Sequence, residues 1–137
     1  MSEFIRVNQA ASQTLAAGKT VCMATVVQAK GSAPRNVGAR MLILPSGDTH
    51  DTIGGGTLEY SVTKDALRLL SKGQTELKNY VFDPRGRPDS VCLCGGAVDI
   101  LMEVLQPDPT LLIVGAGHIC QVAGTNGRSA GHACYCG

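Results

Sequence analysis

Thr52-Ile53-Gly54-Gly55-Gly56-Thr57-Leu58-Glu59 is the stretch on which the fold turns. Two β-branched residues lead into three consecutive glycines, and a helix-forming run follows at once. Glycine inside a helix or strand is costly, so three in a row predict a sharp strand-to-helix turn whose residues need positive φ. Without Cβ atoms, the N–H groups of Gly54, Gly55 and Gly56 can approach a ligand closely. The helix N-terminus favours an anion there, with phosphate as the natural guest. The plainer alternative is a tight turn with no ligand; three successive glycines favour the site. Glu59 falls in the first helical turn, where it can simply offset the helix dipole.

Working outward, Leu58, Val62, Ala66, Leu69 and Leu70 predict an amphipathic helix ending near Gly73. Upstream, residues 49–53 read as a strand joined by the Pro45-Ser46-Gly47-Asp48 turn to another at residues 39–44. Val21 to Ala29 is a buried strand by its β-branched and apolar content. Before it, Phe4, Val7, Ala11, Thr14 and Leu15 fall on one helical face, with Ser2 as cap and Gly18 as stop. Downstream, residues 76–82 and 97–105 read as strands around a polar loop at 83–90. Gln106-Pro107-Asp108-Pro109 is the best boundary in the chain, because two prolines in three residues continue neither helix nor ladder. Leu111 to Val114 then reads as a short buried strand of the parallel type.

The 137 residues are 44% apolar and 17% charged, which is enough to bury a core. Twelve basic residues against 11 acidic give a net charge of +1 and no basic stripe, so nucleic acid is not an expected partner. The longest nearly apolar run, Val21 to Val27, is too short to span a bilayer, and Met1-Ser2-Glu3-Phe4 has no signal-peptide character. A cytoplasmic protein without stable membrane insertion is expected. Six cysteines could suggest a disulfide scaffold. Four of them, however, form Cys-x-Cys pairs (Cys92/Cys94 and Cys134/Cys136), and in a reducing compartment they read as thiols or ligands.

Three further motifs carry chemistry. Gly31-Ser32-Ala33-Pro34-Arg35, with Arg40 five residues on, places an arginine in a stiff loop where a guanidinium can grip phosphate. An ordinary solvated arginine is the better reading without context. Cys92-Leu93-Cys94-Gly95-Gly96 sets a thiol beside glycine N–H donors, an arrangement that lowers a thiol pKa and leaves room for a ligand. A buried structural cysteine fits as well. Leu111 to Gly117, followed by His118, Ile119 and Cys120, has the strand-then-Gly-x-Gly start of a dinucleotide-binding unit. Its expected downstream acidic residue is missing, and residues 111–137 fall short of the roughly thirty that a βαβ unit needs. His118 could face a ligand or be a satisfied surface histidine.

In this order the four motifs resemble the XdhC/CoxI family, accessory proteins of molybdenum hydroxylases such as xanthine dehydrogenase and carbon monoxide dehydrogenase. The matching segments are residues 26–44, residues 52–59, Cys94-Gly95-Gly96, and Leu111 to His118. The resemblance implies an α/β fold: a mixed-sheet N-terminal domain over 1–105, a Pro-rich linker at 106–110, and a truncated Rossmann-like segment at 111–137. That segment is expected to pair with another subunit, dock on the first domain, or be poorly ordered.

The resemblance also implies a role. The chain would bind the molybdenum cofactor (molybdopterin), promote its sulfuration and pass it to an apo molybdenum hydroxylase. It would act as a chaperone rather than a turnover enzyme, with a cysteine desulfurase and a second copy of the chain as further partners. By position, Cys94 would be the thiol nearest the metal. Arg35, Gly54, Gly55 and Gly56 would lie near the pterin or its phosphate. Arg40, Glu59, Gly95 and Gly96 complete the expected cofactor-binding set, and Gly115, Gly117 and His118 open the C-terminal segment. The rivals are an NAD(P)-dependent oxidoreductase, argued from Gly115-x-Gly117 but weakened by the missing acidic residue, and a cysteine-based metal module. A degenerate fragment that merely folds or dimerises is a third.

Overall fold

The computed structural model describes residues 1–31, 36–82, 96–114 and 134–136. The chain divides into two compact units, Met1–Gln106 and Pro107–Gly137.

The first unit runs α1 (Glu3–Ala16), β1 (Val21–Lys30), β2 (Arg40–Ile43), β3 (Thr49–Asp51), α2 (Gly56–Lys72), β4 (Glu76–Phe82) and β5 (Gly96–Leu105). Its five strands form one sheet in the order β3-β2-β1-β5-β4. The α/β class with two main helices is what the sequence led one to expect. Within the sheet all four neighbouring pairs are antiparallel. The expected mixture of strand directions is absent for a topological reason. β3 and β4, joined through α2, run the same way but lie at opposite edges and never pair.

Local chemistry explains the elements. Ser2 caps α1, its hydroxyl accepting from the Ile5 N–H at 3.4 Å. At the other end Gly18 turns the chain with φ +80°. Gly73, at φ 64°, stops α2 in the left-handed conformation. The β2–β3 hairpin closes on Leu44 N–H to Asp48 C=O, 2.9 Å, with Gly47 at φ +91°. The β1–β5 ladder carries a register shift between Val26 and Gln28 that leaves Val27 unpaired and exposed.

The helices cover opposite faces. Alternation along β1 sends Cys22, Ala24 and Val26 into the larger cluster with Met41, Ile43, Ile53, Ile100, Met102 and the α2 residues Leu58, Val62, Ala66 and Leu69. Val21 and Met23 go to the other face, with Leu42 and the α1 residues Val7 and Ala11. Burying each valine, leucine, isoleucine or methionine of these clusters stabilises the fold by about 1.5–3 kcal/mol before entropy is counted. Phe4 departs from the expected α1 face: it is 60% exposed. α1 packs chiefly on β1, β2 and β3, and Leu105 at the end of β5 joins the same cluster.

In the second unit β6 (Leu111–Ile113) and β7 (Cys134–Cys136) pair in parallel, with Leu111 opposite Cys134 and Leu112 opposite Tyr135. Leu111 and Leu112 are exposed, against the buried strand that their composition suggested. Among the described residues no helix is long and apolar enough to cross a membrane.

Candidate functional site

The three-glycine turn is built as the sequence demands. Gly54, Gly55 and Gly56 all have positive φ, at 135°, 78° and 58°. Asp51, at the end of β3, is also in the left-handed region at φ 61°, a costly conformation for a residue with a Cβ. Its carboxylate is held from α1 by the Arg6 guanidinium at 2.7 Å, although Arg6 remains exposed.

Glu59 binds this turn together. Its Oε1 accepts from the Gly55 N–H at 2.9 Å and from the Thr52 hydroxyl. The Thr52 Oγ1 in turn accepts from the Gly54 N–H at 3.1 Å. The N-cap of α2 is Gly55, which has no side chain to offer, so Glu59 reaches back from the first turn and serves instead. The anion expected at this helix N-terminus is therefore supplied by the chain itself. The other side of the turn is open. A Cβ on Gly55 or Gly56 would meet nothing within 4 Å, so a ligand can approach the bare backbone there.

Arg40 starts β2 on the neighbouring strand, and its guanidinium lies 4.8 Å from the centre of the exposed Phe4 ring. Ser2, Glu3, Phe4 and the 36–40 segment line a shallow hollow of about 570 Å³ with Arg40 at its edge. Arg40 and the glycine turn thus lie at one end of the sheet, since Arg40 pairs with Thr25 and the adjacent Met41 pairs with Asp51.

The Gly-Ser-Ala-Pro-Arg and Cys-Gly-Gly motifs meet at their glycines. A Cβ on Gly31, at φ +67°, would come within 2.9 Å of the Gly96 Cα. No side chain fits there, which explains the glycine at position 31; Gly96 itself sits at φ 116°. Chain therefore leaves β1 for Arg35 beside the point where it enters β5 after Cys94. From the Arg40 pairing level to Gly31 is six residues of β1, roughly 20 Å of extended strand. The Gly31–Gly96 contact therefore lies well beyond the level of Arg40 along β1. Arg35, Cys94, Gly95, Gly115, Gly117 and His118 lie outside the described residues, as do the 83–90 loop and Cys92.

Three participants escaped the sequence reading. Arg6 and Asp51 are far apart in the chain, and nothing local announces their ion pair. Thr52 is in the motif itself; a threonine before the glycines with a glutamate after them is a legible capping signal in retrospect. Among the described residues no three His, Cys, Asp or Glu side chains gather as a metal site. Cys22 is a buried free thiol whose pKa is pushed up to about 12 by burial and by the charge of Glu103. That makes it an inert core residue.

With this geometry in place the comparisons decide the family. The model of the XdhC and CoxI family matches residues 14–81, from the last turn of α1 to the end of β4. The chain belongs to the XdhC and CoxI family through this segment. In Escherichia coli strain K12 it is 34% identical over 97 residues to the uncharacterised protein YqeB, covering 71% of this chain and 18% of that protein. It is 29% identical over 106 residues to the molybdenum cofactor insertion chaperone PaoD of the same strain, covering 76% of this chain and 32% of that one. The chain thus spans less than a third of the length of these relatives. A crystal structure described as a xanthine dehydrogenase from Bacillus halodurans superposes with a TM-score of 0.60 at 25% identity, over 76% of this chain and 30% of that one.

Proposed function

We propose that this XdhC/CoxI chain takes part in molybdenum cofactor insertion, as cargo-binding chaperone rather than catalyst. The observation that carries the reading is the family match together with the similarity to PaoD, a molybdenum cofactor insertion chaperone. The described residues fit such a cargo. The cofactor is a phosphorylated pterin; the glycine turn, whose Gly55 N–H already serves Glu59, is sterically open, and Arg40 at the same end of the sheet offers positive charge to an anion. The Gly31–Gly96 contact supports a second half of the site, because it fixes side by side the starting points of the segments that carry Arg35 and Cys94.

In this proposal Arg35 and Arg40 attract the phosphate, Gly54 to Gly56 and Gly95 to Gly96 leave room for the pterin, and Cys94 approaches the molybdenum. Gly115, Gly117 and His118 belong to the second unit and complete the proposed cofactor-binding set. Release to an apo molybdenum hydroxylase requires weaker binding here than in the recipient. A cysteine desulfurase would be the sulfur source for sulfuration of the cargo before transfer.

The test is cofactor capture. The chain is mixed anaerobically with molybdenum cofactor, unbound ligand is removed by gel filtration, and molybdenum and pterin are quantified in the protein peak. Near-stoichiometric molybdenum with pterin, lost in Cys94→Ala, is the expected result. Absence of both from the wild-type peak refutes cargo binding by this chain, and equal retention by Cys94→Ala refutes the role of the thiol.

A further inference from the structure

The chain has only two phenylalanines and no tryptophan, yet the Phe4 ring is 60% exposed. Val37, at 61%, lines the same hollow. Single exposed apolar side chains are ordinary, but two that share a concave surface with a cation call for a ligand. The cation is Arg40, 4.8 Å from the centre of the Phe4 ring. It is partly buried, and among the described residues no carboxylate lies within ion-pair distance of it.

We propose that this hollow binds a phosphorylated planar heterocycle, with Phe4 as the stacking surface and Arg40 as the phosphate clamp. The inference rests on the cofactor-insertion reading above, and it assigns the pterin ring to Phe4. Phe4 and Val37 offer apolar area to the face of a ring. Cation–π attraction steadies the guanidinium on Phe4 and leaves its N–H donors free to grip a phosphate in a bidentate way. Gly38, at φ 96°, would meet nothing within 4 Å with a Cβ in place, so the wall is open there. Glu3 also lines the hollow, so Arg40, rather than a surplus of positive charge, has to select the anion. The volume, about 570 Å³, falls within the roughly 300–1,000 Å³ of small-ligand clefts. A protein partner needs a much broader surface than one ring and one valine.

Both walls are fixed before a ligand arrives, which lowers the ordering cost of binding. On the α1 side, Arg6 donates to the Met1 carbonyl at 2.9 Å and to the Asp51 carboxylate at 2.7 Å. These bonds tie the first turns of the helix to the end of β3. On the other side, the Gly38 N–H donates to the Val26 carbonyl at 2.8 Å, and the Val26 N–H to the Ala39 carbonyl at 2.9 Å. They anchor the 36–40 segment to β1. Asp51 leads directly into Thr52, so the Arg6–Asp51 pair also joins this hollow to the glycine turn.

Anaerobic equilibrium dialysis of the full chain against molybdenum cofactor, with molybdenum quantified on both sides of the membrane, is the test. Phe4→Ala is expected to weaken binding about 5- to 150-fold, the range for removing an aromatic stacking partner. Arg40→Ala is expected to weaken it about 10- to 150-fold, the range for losing a charged hydrogen bond. Both variants should keep the wild-type thermal melting curve by circular dichroism. Phe4→Leu, apolar but not planar, should bind as weakly as Phe4→Ala. Phe4→Trp should bind like the wild type, and its indole, the single one in the chain, should lose fluorescence as cofactor is added. Wild-type binding that survives Phe4→Ala or Arg40→Ala overturns the subsite and leaves the cofactor-insertion reading standing. Full binding by Phe4→Leu, or Phe4→Trp emission indifferent to the cofactor, does the same. A wild type that takes up no cofactor overturns both.

Discussion

Ile100 and Leu101 are neighbours on β5, yet Ile100 is wholly buried in the cluster beneath α2 while Leu101 is half-buried on the other face. The difference is set by the helices. α2 runs across the middle of the sheet and closes one face into a dry core. α1 packs on the β1–β3 end of the other face and reaches Leu105 of β5, while among the described residues Leu77, Val81 and Leu101 on that face stay partly exposed. Residues of the same chemical type therefore carry unequal stability.

The sharpest way to break this comparison is chemical. Cys22 lies on the α2 face with its pKa pushed from an ordinary 9.0 up to about 12, which lowers its thiolate fraction about a thousandfold at neutral pH. Mass-spectrometric mapping after iodoacetamide treatment should show Cys22 labelled only at the rate of protein opening. Rapid labelling under native conditions would mean that this face is not closed. Ile100→Ala should cost about 2–5 kcal/mol in urea unfolding, the range for emptying a tight aliphatic site. A cost no larger than that of Leu101→Ala contradicts the asymmetry.

Gly55→Ala tests the turn that launches α2 over that core. There is room for the methyl group, so the penalty is conformational strain alone, about 1–3 kcal/mol at φ 78° and ψ −177°. An unchanged melting temperature would show that the turn relaxes freely. Leu101→Ala, at a half-buried position, should cost about 1 kcal/mol or less, the scale of one cross-strand pair.

The smallest effect concerns Asp65 at the β4 rim. Burial pushes its carboxyl up, but hydrogen bonds from Lys78 and Tyr80 and the charges of Lys78 and Arg68 outweigh this and hold it below the ordinary 3.8. A carboxyl depressed on folding contributes stability above its unfolded pKa and loses it as pH falls through the folded value. The stability gap between wild type and Asp65→Asn should stay constant from neutral pH to about pH 4 and close below it. A gap that widens on acidification reverses the sign of the interaction.

Much of the first unit was legible because its signals are local. The periodicity of Leu58, Val62, Ala66 and Leu69 marked α2, Gly73 marked its end, and Ser2 marked the start of α1. The 45–48 turn placed the β2–β3 hairpin. Phe4 was misplaced because helical periodicity says which residues share a stripe, while the neighbouring element decides how wide a stripe is covered. Arg40 instead draws the exposed ring to the surface. At the candidate site the glycines were legible as a turn with positive φ. That the turn's anion is Glu59, steadied by Thr52, needed coordinates, because a hydrogen bond across a turn depends on where the backbone points.

The sequence by itself determined the elements, the three-glycine turn, and the family, since each rests on residue type and spacing along one chain. Tertiary structure alone decided the strand order β3-β2-β1-β5-β4, the Arg6–Asp51 ion pair, the meeting of Gly31 with Gly96, and the unequal faces of the sheet. These are contacts between residues distant in the chain. Which of them form is set by how two helices and five strands can share one core, and no local signal carries that information.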